Sequence, residues 1–137
     1  MKIYKITFSI LISFFSIIAF SSCTKQEGQG GTSTIKGKIF VAEYNVFTPI
    51  DSFYSGKVSV YIIYGDNEYF GDKIESSYDG TFEFPYLKKG KYTLFAYSDC
   101  LLGADCDGGK KVIKKEVEIT ENKQTIDAGD IRIEVIQ

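Results

Sequence analysis

The stretch Asp79-Gly80-Thr81-Phe82-Glu83-Phe84-Pro85-Tyr86-Leu87-Lys88-Lys89-Gly90-Lys91-Tyr92-Thr93-Leu94 reads as turn, strand, turn, strand. Asp79-Gly80 supplies a backbone able to take positive φ, and Phe82 and Phe84 alternate with polar neighbours as one buried face. Lys89-Gly90 then reverses the chain into a second alternating run, Tyr92, Leu94 and Ala96. A period of two repeated across turns is the signature of β-structure.

The same reading extends in both directions. Ile35, Gly37, Ile39 and Val41 alternate with Lys36, Lys38, Phe40 and Ala42 as a first strand, and Val58, Val60, Ile62 and Tyr64 form one face of another. Between them residues 43–56 mix Asn45, Pro49, Asp51 and Ser55 with Tyr44, Phe47, Phe53 and Tyr54, which predicts a long loop carrying aromatic bulk. Gly65-Asp66-Asn67 turns the chain into a weaker strand over 69–77. After Ser98, residues 99–109 are too rich in Gly and Asp for regular structure. Ile113, Val117 and Ile119 mark the next strand and Ile126 begins the last. In that last strand the apolar parity changes from even (Ile126, Ala128) to odd (Ile131, Ile133, Val135) across Gly129, which predicts a β-bulge there. Seven or eight short strands and no helical period predict an all-β, seven- to eight-stranded antiparallel β-sandwich.

The N-terminus carries Lys2 and Lys5, an apolar run from Ile6 to Phe20 and small residues ending at Cys23, the layout of a signal peptide over residues 1–22. The run is shorter than the roughly 20 apolar residues that span a bilayer. Phe20-Ser21-Ser22-Cys23 resembles the lipobox of bacterial lipoproteins, which implies lipidation of Cys23 as the first mature residue. Cys23-Thr24-Lys25-Gln26-Glu27 resembles the short charged signal of surface-exposed lipoproteins in the Bacteroidetes group. The expected location is a bacterial outer membrane, lipid-anchored, with surface display and periplasmic retention both open. Residues 23–34, with Gly28, Gly30, Gly31 and several polar side chains, read as a flexible linker, and residues 35–137 as a single domain.

The signal segment takes two of the sixteen basic residues and none of the eighteen acids, leaving fourteen against eighteen and a net charge of −4. That balance argues against a nucleic-acid partner, whose binding rests on excess positive charge. Lysine clusters at 88–91 and 110–115 read as solvated turn and strand faces.

Lys36-Gly37-Lys38-Ile39, Gly56-Lys57-Val58-Ser59-Val60, Asp79-Gly80-Thr81-Phe82-Glu83-Phe84, Leu87-Lys88-Lys89-Gly90-Lys91-Tyr92-Thr93-Leu94 and Ala128-Gly129-Asp130-Ile131 together resemble the carboxypeptidase regulatory-like domain. The resemblance covers roughly residues 34–135. It implies a prealbumin-like (transthyretin-like) seven-stranded sandwich, close to the collagen-adhesin B-type repeat, in an accessory role with no catalytic residues. The length of the 43–56 loop and the two-cysteine loop are additions to that pattern.

The chain contains no histidine, which removes Ser-His-Asp and Cys-His catalysis and the commonest zinc ligand. The sequence therefore points to a protein that is not an enzyme and carries no cofactor. Cys100 and Cys106, the two cysteines left after lipidation, are expected to form a disulfide in an exported protein. Asp105 and Asp107 alternate as calcium-loop carboxylates do, but Lys110-Lys111 stand where such a loop continues to its glutamate, so they are weak calcium candidates. An isopeptide bond between Lys36 or Lys38 and Asp130, assisted by Glu83, would need burial that the outward parity of those lysines denies.

Two binding readings remain. If Val58, Val60, Ile62, Tyr92, Leu94 and Ala96 point inward, then Tyr61, Ile63, Phe95 and Tyr97 point outward beside Phe40, where an antiparallel sandwich normally shows polar residues. Either the 43–56 loop covers this face as a lid, or the face is an apolar patch for a protein partner. Alternatively the loop aromatics Tyr44, Phe47, Phe53, Tyr54, Tyr69 and Phe70 are stacking platforms for a carbohydrate. That second reading requires exposed rings.

Overall fold

A computed structural model describes residues 26–46, 48–100 and 106–137. Cys23, Phe47, Asp105 and the side chain of Asp107 lie outside the described residues. Eight strands form two four-stranded sheets packed as a β-sandwich. The first sheet contains β1 (Gln29–Asn45), β2 (Thr48–Tyr54), β5 (Thr81–Leu87) and β8 (Thr125–Ile136). The second has the order β4 (Asp72–Glu75), β3 (Ser59–Tyr64), β6 (Gly90–Asp99), β7 (Lys110–Ile119).

β1 is the axis of the first sheet. Of its 17 residues, 34–44 pair with β8 along one edge, while the other edge is shared in tandem by β5, opposite residues 29–38, and β2, opposite residues 40–45. Pairing is antiparallel everywhere except between β1 and β8, which run parallel.

The alternation read from the sequence is the core. Ile35, Ile39, Val41, Val60, Ile62, Phe82, Phe84, Leu87, Tyr92, Leu94, Ala96, Ile131 and Ile133 are all buried between the sheets. Alternate positions of β1, β3, β5, β6 and β8 supply them, so each sheet presents one apolar face. The expected bulge is present: Lys36 pairs with Asp127 but Lys38 with Asp130, and Gly129 takes φ 68° in the extra position.

Asp79-Gly80 makes the turn that its residues require. Asp79 Oδ1 accepts the Thr81 N–H at 3.1 Å and the Thr81 hydroxyl at 2.6 Å, holding the carboxyl below its ordinary range, and Gly80 sits at φ 84°. The two turns of this stretch do not join paired neighbours, however. β4 and β6 belong to the second sheet and β5 to the first, so the chain crosses between sheets at Asp79-Gly80 and again at Lys88-Lys89.

Three sequence expectations are corrected. The segment read as linker to residue 34 is strand from Gln29 onward, because its backbone pairs with β5 and β8 regardless of its polar side chains. Most of residues 43–56 is strand and not loop: residues 43–45 complete β1, and residues 48–54 form β2, which pairs antiparallel with β1 and is exposed at all seven positions. The weak strand over 69–77 shortens to Asp72–Glu75, with residues 65–71 forming a loop.

The side of the sandwich where β7 and β8 face each other is closed by inward-leaning lysines. Lys111 pairs with Glu134, and Lys115 Nζ donates to the Asp130 carbonyl at 3.2 Å. The free edge of β8 is further capped by Ser98 Oγ, which accepts the Glu134 N–H at 2.8 Å. Charged and polar side chains across a strand edge oppose pairing with another chain.

Candidate binding face

The outward positions of β3 and β6 come together on the outer surface of the second sheet. Tyr61 lies opposite Phe95 across the β3–β6 ladder, Ile63 opposite Thr93, and Tyr97 opposite Val112 on β7. Direct cross-strand neighbours on one face sit about 5 Å apart at Cβ, so aromatic residues there must stack or cross edge-on.

They do both. The Tyr61 and Phe95 rings stack at 4.8 Å with 9° between planes. Tyr97 meets Tyr61 edge-on at 5.6 Å and Phe95 edge-on at 5.8 Å, and Phe70, from the 65–71 loop, meets Tyr61 edge-on at 5.0 Å. Such pairs contribute about 0.5–1.5 kcal/mol each beyond their area burial. Tyr61, Phe95 and Tyr97 are thus held in register by backbone pairing, and Phe70 joins them from the loop as a fourth ring.

Its members are not equally available. Phe95 is only 7% exposed, enclosed by its ring neighbours, whereas Tyr97 and Phe70 are 50% and 52% exposed. Val112 is exposed beside them. Polar groups frame the rings: Lys73 Nζ lies 5.7 Å from the Tyr61 ring centre, and Lys114 is paired opposite Phe95. Past Ile63 and Thr93 the surface dips into a depression lined by Asp66, Lys91, Glu116 and Glu118. An apolar centre with a mixed-charge rim is the anatomy of a recognition surface.

The proposed lid does not cover this face. β2 pairs with β1 in the first sheet, on the far side of the core from β3 and β6. Phe40 is on that far side too, edge-on to Tyr54 at 5.3 Å and with Arg132 5.0 Å from its ring centre. Strand parity is legible in the sequence, but not which sheet lies across from each strand. No family model matches this chain, and no curated protein is similar to it. The surfaces have to be read from their own chemistry.

The loop aromatics do not form one platform. Phe53, Tyr54, Tyr69 and Phe70 are exposed and Tyr44 is partly buried, so the exposure that a sugar site requires is met ring by ring. They are divided between the two sheets, with Tyr44, Phe53 and Tyr54 on the first and Tyr69 and Phe70 in the loop beside the second. Tyr54 already has Lys38 Nζ 4.8 Å from its ring centre, and its hydroxyl donates to Asp130 at 3.3 Å. Among the described residues of this set, Phe70 is the ring that joins the cluster on the second sheet.

At the β6–β7 end, Cys100 and Cys106 form a disulfide with Cα atoms 6.4 Å apart. Asp99, next to it, accepts the Ile136 N–H at 2.9 Å and pairs with Lys110. Partial burial alone would raise the Asp99 carboxyl, but the Lys110 and Ile136 hydrogen bonds outweigh it and hold the group below its ordinary 3.8. Among the described residues no group of three or more His, Cys, Asp or Glu side chains could hold a metal ion. Lys36 pairs opposite Glu83 and Lys38 opposite Asp130 on the outer surface, where the lysines expected to face outward do so.

Sequence reasoning missed the contributions of Lys73, Lys114 and Val112. Their outward parity on β4 and β7 is readable, but their place beside the rings depends on strand order.

Proposed function

We propose that this chain is a lipid-anchored, non-enzymatic β-sandwich that serves as an accessory or binding module at a bacterial outer membrane and engages a protein partner through the outer face of the second sheet. The observation that carries this reading is the four-ring cluster Phe70, Tyr61, Phe95 and Tyr97 on a sheet face that no described element covers. Antiparallel sheets turn polar residues to water on such faces, and interfaces are enriched in aromatic residues at their centres. The absence of histidine supports a non-catalytic role, and the lipobox-like junction at Cys23 supports the anchor. The carboxypeptidase regulatory-like, prealbumin-like family remains the resemblance that best accounts for Asp79-Gly80-Thr81-Phe82-Glu83-Phe84.

A carbohydrate-binding role is the second reading, favoured by the exposure of Phe53, Tyr54, Tyr69 and Phe70. One experiment separates the two. A photo-crosslinking residue placed at Tyr97 or Val112 in the acylated protein in cells is expected to trap a protein, and the same residue at Tyr54 is not. Equal trapping from both sheets, or none from Tyr97, would remove the protein-partner reading. Glycan binding abolished by Tyr54→Ala or Tyr69→Ala would install the other. Cys23→Ser is expected to release the protein from membranes, and retention of that variant would refute the anchor.

A further inference from the structure

We infer that the end of the sandwich where β1 begins is a membrane seat, resting on lipid headgroups through Tyr69, Tyr86 and the Lys88-Lys89 corner and holding the domain upright. The inference rests on the reading of Cys23 as the lipid anchor.

The chain is fixed to the domain well before the first core residue. Gly28 is buried; its N–H donates to the Tyr92 hydroxyl at 3.2 Å, and its carbonyl accepts the Lys88 N–H at 2.9 Å. Glu27 packs against Gly90, and the Gln29 side chain donates to Asp72 at 2.9 Å. Only residues 24–26 separate Cys23 from Glu27. Four Cα steps reach at most about 14 Å fully extended, against a headgroup layer of roughly 5–8 Å. With acyl chains on Cys23 in the bilayer, this end of the domain is held within about 14 Å of the hydrocarbon boundary, close enough for its side chains to reach the headgroups.

Its surface suits that position. The most exposed aromatic residues among those described are Tyr78, Tyr69 and Tyr86, at 93%, 80% and 71%. Tyr69 and Tyr86 flank the tether, Tyr69 in the loop after β3 and Tyr86 at the end of β5. Tyrosine, apolar in body and polar at its tip, prefers the headgroup region, and exposed lysines are attracted to anionic lipid. Glu27, Asp66, Glu68 and Glu121 share this end, so its charge is mixed and the rings contribute most of the seating. Upright seating sends β6 away from the bilayer over about 33 Å, which puts the Cys100–Cys106 bridge at the outer tip and turns Tyr97 and Val112 sideways.

The chain has no tryptophan, so a single one reports its own surroundings. The acylated protein carrying Tyr69→Trp is reconstituted into phosphatidylcholine vesicles containing phosphatidylglycerol. Its emission is expected to be quenched by bromine-labelled acyl chains and shielded from iodide. Tyr78→Trp, at the opposite end of β5, is expected to show the reverse. Tyr86→Trp serves as the second reporter at the seat. Iodide quenching of the Tyr69→Trp and Tyr86→Trp proteins equal to that of the Tyr78→Trp protein, with no bromine effect, would overturn the seat while leaving the anchor intact. A Cys23→Ser form that stays on the vesicles with no bromine quenching of Tyr69→Trp would refute the anchor and the seat together, whereas one that stays with that quenching would support a seat that binds lipid by itself.

Discussion

The Tyr92 hydroxyl donates to the Lys88 carbonyl at 2.7 Å, four residues back along its own chain, and so closes the corner where β5 passes into β6. The same oxygen accepts the Gly28 N–H, so one side chain fixes both the sheet crossing and the start of β1. Tyr92→Phe leaves the Gly28 N–H buried without its acceptor and is expected to cost about 1–3 kcal/mol in urea denaturation. Burial is the main cause that raises the Tyr92 hydroxyl above its ordinary 10.0. Its contribution is thus complete below pH 10 and lost as pH rises through the native value, because the unfolded chain gives up the proton first. The difference in stability between wild type and Tyr92→Phe is expected to shrink at alkaline pH; a constant difference would refute the linkage.

Gly37 faces the core where the Gly129 bulge bends β8. A Cβ there would lie 2.6 Å from Phe82 Cζ and 2.7 Å from the Gly129 carbonyl oxygen, and the second contact is backbone that cannot rotate away. Gly37→Ala is expected to destabilise by about 1–3 kcal/mol, as overpacking does. An unchanged melting temperature would show that the two sheet elements separate freely at this point.

Asp99 joins the ends of β6, β7 and β8 through Lys110 and the Ile136 N–H. Its native pKa is lowered, so its stabilisation is present above 3.8 and is lost as pH falls through the native value. Asp99→Asn is expected to lower the melting temperature at neutral pH and to converge with wild type in acid. Parallel curves down to the most acidic pH at which the domain stays folded would exclude the carboxylate as the cause.

The Cys100–Cys106 bridge closes a loop of a few residues, for which chain entropy gives about 2 kcal/mol. Reduction is expected to loosen the β6–β7 connection and leave the sandwich folded, since the core lies elsewhere. Loss of cooperative melting on reduction would contradict this. Two freely alkylated thiols in unreduced protein would show that the bridge does not form.

Phe95 and Tyr97 illustrate how far a strand pattern can be read. Parity puts both on the outer face, but parity carries no information about the neighbours. Phe95 is enclosed because Tyr61 arrives from β3 and Tyr97 crosses its edge, whereas Tyr97 ends beside the smaller Val112. Residues 48–54 are unreadable for a different reason. Every β2 side chain is exposed, so no apolar alternation marks it, and backbone pairing to β1 alone makes it a strand.

The amino-acid sequence by itself determined the β class, the core faces of β1, β3, β5, β6 and β7, the Asp79-Gly80 turn and the Gly129 bulge. These depend on a period of two and on local φ preferences, which neighbouring residues carry between them. Only the tertiary structure decided that residues 43–56 join the sheet opposite Tyr61, that β8 runs parallel to β1, and that the Gly-rich segment after Gln26 is bound to the domain. Each of those depends on contacts between distant parts of the chain, such as the Tyr92 hydroxyl meeting a backbone N–H 64 residues earlier. A backbone hydrogen bond carries no side-chain signature, so the glycines of a docked strand and those of a free linker read alike until their partners are in place.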